Sequence, residues 1–177
     1  MHSQKPIPIL FLDIQPKNIL IKDKKLYLVD FGNSYYINET ESRNLLLGTP
    51  GYAAPEQFGG RGQTDARTDI YCLGTTLYHL VTGKDPCEPP YEIKPIREIN
   101  PSLSSGFERI IQKCTQRDPN DRYQSAAELM YALEHYEEED ESYKSKQKKK
   151  RNVFFVFSFL TILFLLIGIV AQVLKIG

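Results

Sequence analysis

A long apolar stretch lies near the C-terminus of this chain. Residues 152–174 form a run of 23 uncharged residues dominated by Phe, Leu, Ile and Val. As a helix rising about 1.5 Å per residue, the run would span about 34 Å, which exceeds the roughly 30 Å thickness of a hydrocarbon core. A buried core helix is rarely this long and this apolar. We therefore expect residues 152–174 to form one transmembrane helix.

The charges on either side of this stretch predict its orientation. Residues 144–151 carry six basic groups, whereas Lys175 is the basic residue that follows the run. By the positive-inside rule, residues 1–151 are expected on the cytoplasmic side of the cell membrane, with a single pass through it. Acidic residues come just before the basic cluster, so we interpret residues 137–151 as an acidic and then basic juxtamembrane linker.

Composition argues against two other classes of protein. Residues 1–143 hold all 22 acidic groups but only 15 of the 22 basic groups, a net charge near −7, so we expect no nucleic-acid partner. Cys72, Cys87 and Cys114 are widely spaced and form no CxxC pair. Neither a disulfide framework nor a zinc site is therefore indicated.

Hydrophobic periodicity predicts a short hairpin followed by helices. Residues 18–29 contain two apolar runs around a polar cluster, which is typical of a β-hairpin. Helical spacing of apolar residues recurs in three later segments. These segments are residues 68–81, 103–114 and 126–136. The part of the chain before the linker is therefore predicted to be mainly α-helical.

Two motifs flank the predicted hairpin. Residues 11–18 read FLDIQPKN and residues 30–32 read DFG. This order resembles the catalytic loop and the metal-binding motif of protein kinases, and we call residues 11–18 the catalytic loop. The resemblance implies that Asp13 orients the attacking hydroxyl. It also implies that Asn18 and Asp30 hold Mg²⁺ beside the phosphates of ATP.

Later motifs match the same family in the same order. Residues 48–57 read GTPGYAAPEQ, and they resemble the end of the activation segment, most of all in bacterial serine/threonine kinases; we call them the APE segment. The resemblance implies that Thr49 helps to align Asp13 and marks serine/threonine specificity. It implies structural roles for Phe31, Gly32, Glu56, Asp69 and Arg122. Among these, Glu56 is expected to pair with Arg122, and Asp69 to brace the backbone of the catalytic loop.

The sequence departs from the family pattern at two positions of the catalytic loop. Gln15 stands where the family has a lysine that neutralises the transferring phosphate, so this stabilisation is expected to be weaker. Leu12 stands where the family has an arginine that reads a phosphorylated activation segment. The chain also starts just before the catalytic loop, so we expect the small lobe, which covers ATP, to be absent.

The resemblance covers residues 1–136, interpreted as the large lobe of a truncated kinase domain. The expected fold class is mainly α, a kinase-like large lobe with one short β-hairpin and one transmembrane helix. The family reaction is transfer of the ATP γ-phosphoryl group to a protein serine or threonine, and we expect the isolated chain to be inactive. Two alternatives stay open: a non-catalytic pseudokinase fragment that docks a partner at the membrane, and complementation by a separately encoded small lobe.

Overall fold

The computed structural model describes residues 1–36, 48–58 and 64–138, with isolated positions at 140, 145, 148, 149 and 151. Short strands come first and helices follow. The strands are β1 (Ile9–Leu10), β2 (Ile19–Lys22), β3 (Lys25–Leu28) and β4 (Tyr35–Tyr36). The α-helices are α1 (Ala66–Thr82), α2 (Ile96–Ile99), α3 (Ser105–Cys114) and α4 (Ala126–Glu134).

The predicted hairpin is confirmed. Strands β2 and β3 pair antiparallel, with Ile19 opposite Leu28 and Lys22 opposite Lys25. The two connecting residues, Asp23 and Lys24, both have positive φ, at 51° and 60°, as a two-residue hairpin loop of the type I′ class requires. The hairpin places the end of the catalytic loop beside the start of the DFG motif, because Val29 N donates to Asn18 O at 2.9 Å.

The three longer helices lie where periodicity predicted them. Helix α1 begins after Asp65, whose carboxylate accepts from Arg67 N, and it ends at Gly83, which has φ of 67°. Asp65 is therefore the N-cap of α1, and Gly83 is its left-handed C-cap. Ser104 and Ser125 cap α3 and α4 in the same way, with side chains that accept from backbone amides of the first turn.

Helices α1, α3 and α4 share the main core. Ile70 of α1, Ile110 and Cys114 of α3, and Leu129 of α4 are buried together with Tyr123. The approach of α1 to α3 depends on Gly74, because a Cβ at that position would lie 2.4 Å from the Cβ of Cys114. Tyr78, Ile96 and Ile111 form a second cluster that fixes α2 against α1 and α3.

The predicted fold class omits one element and is wrong about another. It omits a second antiparallel pair, which β1 and β4 form with Leu10 opposite Tyr35. It also included a transmembrane helix, whereas no helix in the described part of the chain is long and apolar enough to cross a membrane. The longest one, α1, has 17 residues, which rise about 26 Å, and it carries Arg67 and Asp69.

Several predictions concern residues that the structure does not describe. The proposed span, residues 152–174, lies outside the described residues, and so does most of the proposed linker at 137–151. The location at the cell membrane and the cytoplasmic side assigned to residues 1–151 stay predictions.

Candidate active site

The catalytic loop is held by α1. Asp69, which is 4% exposed, accepts hydrogen bonds from Phe11 N to Oδ2 at 2.9 Å and from Leu12 N to Oδ1 at 2.7 Å. Leu12 has φ of 65°, a left-handed conformation that is uncommon for a leucine and costs conformational energy. The two bonds to Asp69 support this turn, so the backbone ahead of Asp13 is fixed by a buried carboxylate.

Asp13 lies at the centre of a dense set of hydrogen bonds. Asp13 is 5% exposed, and the donors to its carboxylate are Gln15 Nε2 at 2.6 Å, Thr49 Oγ1 at 2.8 Å, Thr49 N at 3.2 Å, Asn18 Nδ2 at 3.1 Å and Asn33 Nδ2 at 3.3 Å. Every donor in this set is neutral. These bonds bring together Asp13, Gln15, Asn18 and Thr49, four of the residues that the sequence analysis placed at the reacting groups or the metal.

Gln15 takes a position between Asp13 and Thr49. Its Nε2 donates to Asp13 Oδ1 and to Thr49 Oγ1, both at 2.6 Å. An ionised carboxylate can only accept, so the nitrogen of the amide, and not its oxygen, has to face Asp13. Gln15 is 3% exposed, and both hydrogens of its amide are used inside the protein.

The side-chain oxygens of Asn18 and Asp30 are suitable ligands for a magnesium ion. Asn18 Nδ2 donates to Asp13 O at 2.9 Å and to Asp13 Oδ2 at 3.1 Å, which leaves Asn18 Oδ1 on the opposite side of the amide from Asp13. Asp30 is exposed, and its Oδ1 accepts from Gly32 N at 3.3 Å. Mg²⁺ prefers oxygen ligands and is commonly held by one or two side-chain oxygens together with substrate phosphates. These residues therefore fit the ion that the resemblance implies.

The DFG motif packs on the catalytic loop. The rings of Phe31 and Phe11 meet edge to face with centroids 5.2 Å apart, and Ser34 Oγ donates to Phe11 O at 3.3 Å. Asp30 adopts a left-handed conformation with φ of 63°, and Gly32 lies one residue after Phe31 in a short 3₁₀ helix. Phe31 nevertheless remains 53% exposed.

The APE segment is tied to the rest of the domain by Glu56. Its carboxylate accepts from Arg122 Nη1 at 2.6 Å, from Arg122 Nη2 at 2.8 Å and from Thr68 Oγ1 at 2.9 Å. Burial on its own would raise the pKa of Glu56, but the hydrogen bonds and positive charge of Arg122 outweigh it, and the pKa lies below its ordinary value. Glu56 is therefore held as a carboxylate.

Two residues of the site that sequence reasoning missed are Gln57 and Asn33. Gln57 is 5% exposed, and its Nε2 donates to Leu12 O at 2.9 Å while its Oε1 accepts from Ala54 N at 2.8 Å. Asn33 reaches Asp13 Oδ2 from the 3₁₀ helix after the DFG aspartate. A glutamine next to a motif and an asparagine after DFG carry no periodic or spacing signal.

Two histidines also have partners that the sequence did not indicate. His2 Nε2 lies 2.7 Å from Asp69 Oδ2, so the segment before the catalytic loop contacts the same carboxylate that braces the loop. His79 Nδ1 is hydrogen-bonded to the hydroxyl of Tyr52 in the APE segment. Burial raises the pKa of Tyr52, and the nearby Asp85 raises it further, so the phenol stays protonated and is able to donate to His79.

Sequence comparison with known proteins gives similarities to protein kinases. The family model described as "Protein kinase domain" matches residues 1–135. A probable serine/threonine-protein kinase of Clostridium acetobutylicum is 34% identical over 139 residues, which cover 71% of this chain and 21% of the relative. The serine/threonine-protein kinase PknF of Mycobacterium tuberculosis is 32% identical over 149 residues, which cover 72% of this chain and 30% of the relative. The matched region thus spans about a fifth to a third of each relative.

Proposed function

Because the chain belongs to the protein kinase domain family, we propose that residues 1–136 supply the large-lobe half of a serine/threonine kinase site. The site would serve transfer of the ATP γ-phosphoryl group to a protein hydroxyl, the reaction of the family. One observation carries the proposal: Asp13, Asn18 and Thr49 converge in a single hydrogen-bonded cluster. Phosphoryl transfer depends mainly on positioning and on electrostatic stabilisation, and this cluster provides the positioning.

Each residue of the cluster has a defined task in this proposal. Asp13 would accept a hydrogen bond from the acceptor hydroxyl and orient it, with Thr49 holding the carboxylate in place. Asn18 and Asp30 would hold Mg²⁺ through their oxygens. Bound Mg²⁺ and ATP would supply charge neutralisation and the phosphoryl group.

The cluster lacks one element of the family's chemistry. The donors on Asp13 are neutral, and Gln15 stands at the position of the family's lysine. Both amide hydrogens of Gln15 are directed at Asp13 and Thr49, so its amide has no hydrogen left for a phosphate oxygen. We therefore propose that this chain, acting alone, does not catalyse phosphoryl transfer at a measurable rate.

Exposed apolar side chains support a separately supplied small lobe as a partner of the hairpin. Leu20, Ile21 and Leu26 of the hairpin are 55%, 77% and 62% exposed, and Phe31 beside them is 53% exposed. A two-stranded hairpin is marginal on its own and gains stability from packing. A small lobe placed over the hairpin and Phe31 would cover this surface and complete the nucleotide site.

A transfer assay with radiolabelled ATP tests the proposal. The full chain is incubated with Mg²⁺, labelled ATP and casein, with Asp13→Asn as the matched control. We expect no label above the control in casein or in the chain itself. Labelling that Asp13→Asn abolishes would show instead that the chain alone is an active kinase.

A second candidate function is a non-catalytic binding module of the pseudokinase kind. The neutral amide of Gln15 between Asp13 and Thr49 favours it, because the site is satisfied without a phosphate. This alternative predicts that Asp13→Asn and Asp30→Asn leave the cellular role of the protein unchanged. The kinase proposal predicts that both substitutions abolish that role once the small lobe is present.

A further inference from the structure

Two glutamine side chains cross between the catalytic loop and the APE segment. Gln15 of the loop reaches the segment, with Nε2 donating to Thr49 Oγ1 at 2.6 Å. Gln57 of the segment reaches the loop, with Nε2 donating to Leu12 O at 2.9 Å. Each segment therefore supplies one side chain to the other, and we call this pair the glutamine clamp.

Each amide of the clamp is also bonded within its own segment. Gln15 Nε2 donates to Asp13 Oδ1 at 2.6 Å, and Gln57 Oε1 accepts from Ala54 N at 2.8 Å. Gln15 and Gln57 are 3% and 5% exposed. A buried amide that loses its partners pays the desolvation of those groups without compensation, so both side chains are confined to these positions.

The clamp joins the two segments through uncharged groups. Leu12, which stands at the position of the arginine of the resembled family, is fully buried, and its backbone oxygen accepts from Gln57. An alkyl side chain cannot pair with a phosphoryl group, whereas an arginine binds one through charge-assisted hydrogen bonds. The two crossing bonds of the clamp thus involve amide, hydroxyl and backbone groups, and they add to the bonds from Thr49 to the Asp13 carboxylate.

We infer that Gln15 and Gln57 are positioning residues that hold the APE segment on the catalytic loop without a phosphoryl group on the chain. The alignment of Thr49 with Asp13 is then a constant property of the fold and not a switched one. The inference rests on the proposed function for its significance, because this alignment matters at a site for phosphoryl transfer. Its test does not require nucleotide.

Backbone amide hydrogen exchange of the full chain measures the clamp directly. Thr49 N donates to Asp13 Oδ1 and Ala54 N donates to Gln57 Oε1, so these two amides report on its two halves. Exchange is measured before and after treatment with a broad-specificity phosphatase, with mass spectrometry to verify that no phosphoryl group remains. We expect unchanged protection at both amides. Loss of protection at Thr49 after treatment would overturn the inference.

Variants of each glutamine separate the clamp from general packing. In Gln15→Met, which keeps length but removes the donors, we expect exchange at Thr49 to accelerate at least tenfold. In Gln57→Met we expect the same at Ala54. In Gln15→Lys, whose ammonium group can donate to both partners, protection at Thr49 should return to within about threefold of the wild type. Gln116→Met, a change at an exposed glutamine of the segment after α3, should alter neither amide.

The outcomes distinguish the clamp from the proposed function. Unchanged exchange at Thr49 in folded Gln15→Met would overturn the clamp, whatever the nucleotide result. If circular dichroism shows that Gln15→Met is unfolded, Gln15→Lys decides, because loss of Thr49 protection in that folded variant would also overturn it. Failure of Mg-ATP to bind, with the expected exchange pattern intact, would remove the proposed function and leave the clamp as a structural tie.

Discussion

Arg122 and Glu56 form a buried, two-pronged ion pair. Arg122 Nη1 lies 2.6 Å from Glu56 Oε1 and Nη2 lies 2.8 Å from Oε2, with the arginine side chain fully buried and the glutamate side chain 8% exposed. The remaining donors of Arg122 bond to the backbone oxygens of Gln116, Arg117 and Arg67. A single guanidinium therefore joins the APE segment, the start of α1 and the segment after α3.

Removing the arginine of this pair should be severely destabilising. In Arg122→Met, the Glu56 carboxylate would remain buried without its partner, and breaking such a pair costs about 3–5 kcal/mol. Urea unfolding followed by circular dichroism measures the loss. Lys113→Met is the matched control, because Lys113 and Glu128 form an exposed pair with both side chains 42% exposed, and this change should cost at most about 1 kcal/mol. Equal losses in the two variants would contradict the structural role of Arg122.

The same pair predicts a pH dependence of stability. The pKa of Glu56 is lowered in the folded state, so its contribution is fully present above the pKa of the unfolded chain, about 4.3 for a glutamate, and is lost as the pH falls further. We expect the difference in unfolding free energy between the wild type and Glu56→Gln to be constant near pH 7 and to shrink below about pH 4.3. A difference that does not change with pH would show that the Glu56 carboxylate is not stabilised by folding.

The close crossing of α1 and α3 predicts the effect of Gly74→Ala. In an exposed helix position, alanine in place of glycine stabilises by about 1 kcal/mol. Here the new Cβ would lie 2.4 Å from Cys114 Cβ and 3.2 Å from Thr115 Cγ2, so α1 and α3 must separate. We expect a loss of about 1–3 kcal/mol, measured as a lower thermal midpoint. A rise in the midpoint would show that the helices can adjust at no cost.

The three cysteines should differ in reactivity. Cys72 and Cys114 are fully buried; burial raises the pKa of both thiols, that of Cys114 to about 12. Cys87 is partly exposed, although burial and Asp85 raise its pKa as well. With Ellman's reagent at pH 8, we expect one thiol to react in the native chain and three after unfolding in guanidinium. Cys87→Ser should leave no thiol that reacts before unfolding, and a fast-reacting thiol in that variant would contradict the packing of α1 and α3.

The spacing of apolar residues and the position of a polar turn predicted the hairpin and the three longer helices. Two apolar runs with a polar turn predicted β2 and β3, and helical spacing predicted α1, α3 and α4. Strands β1 and β4 were missed because each has two residues, too few for a period, and their pairing joins residues 25 or more positions apart. Gln57 and Asn33 were missed for a related reason, since their roles come from contacts with Leu12 and Asp13, which are distant in the sequence.

We propose that the chain carries the large-lobe half of a nucleotide site, and calorimetric titration of the full chain with Mg-ATP tests this claim. Asp30→Asn is the control, because an amide in place of the carboxylate weakens a magnesium ligand while preserving shape. We predict weak binding that requires Mg²⁺ and is lost in Asp30→Asn, because the small lobe forms the rest of the family's nucleotide site. Absence of heat at millimolar ATP from the folded wild type, or equal binding by the variant, would contradict the claim.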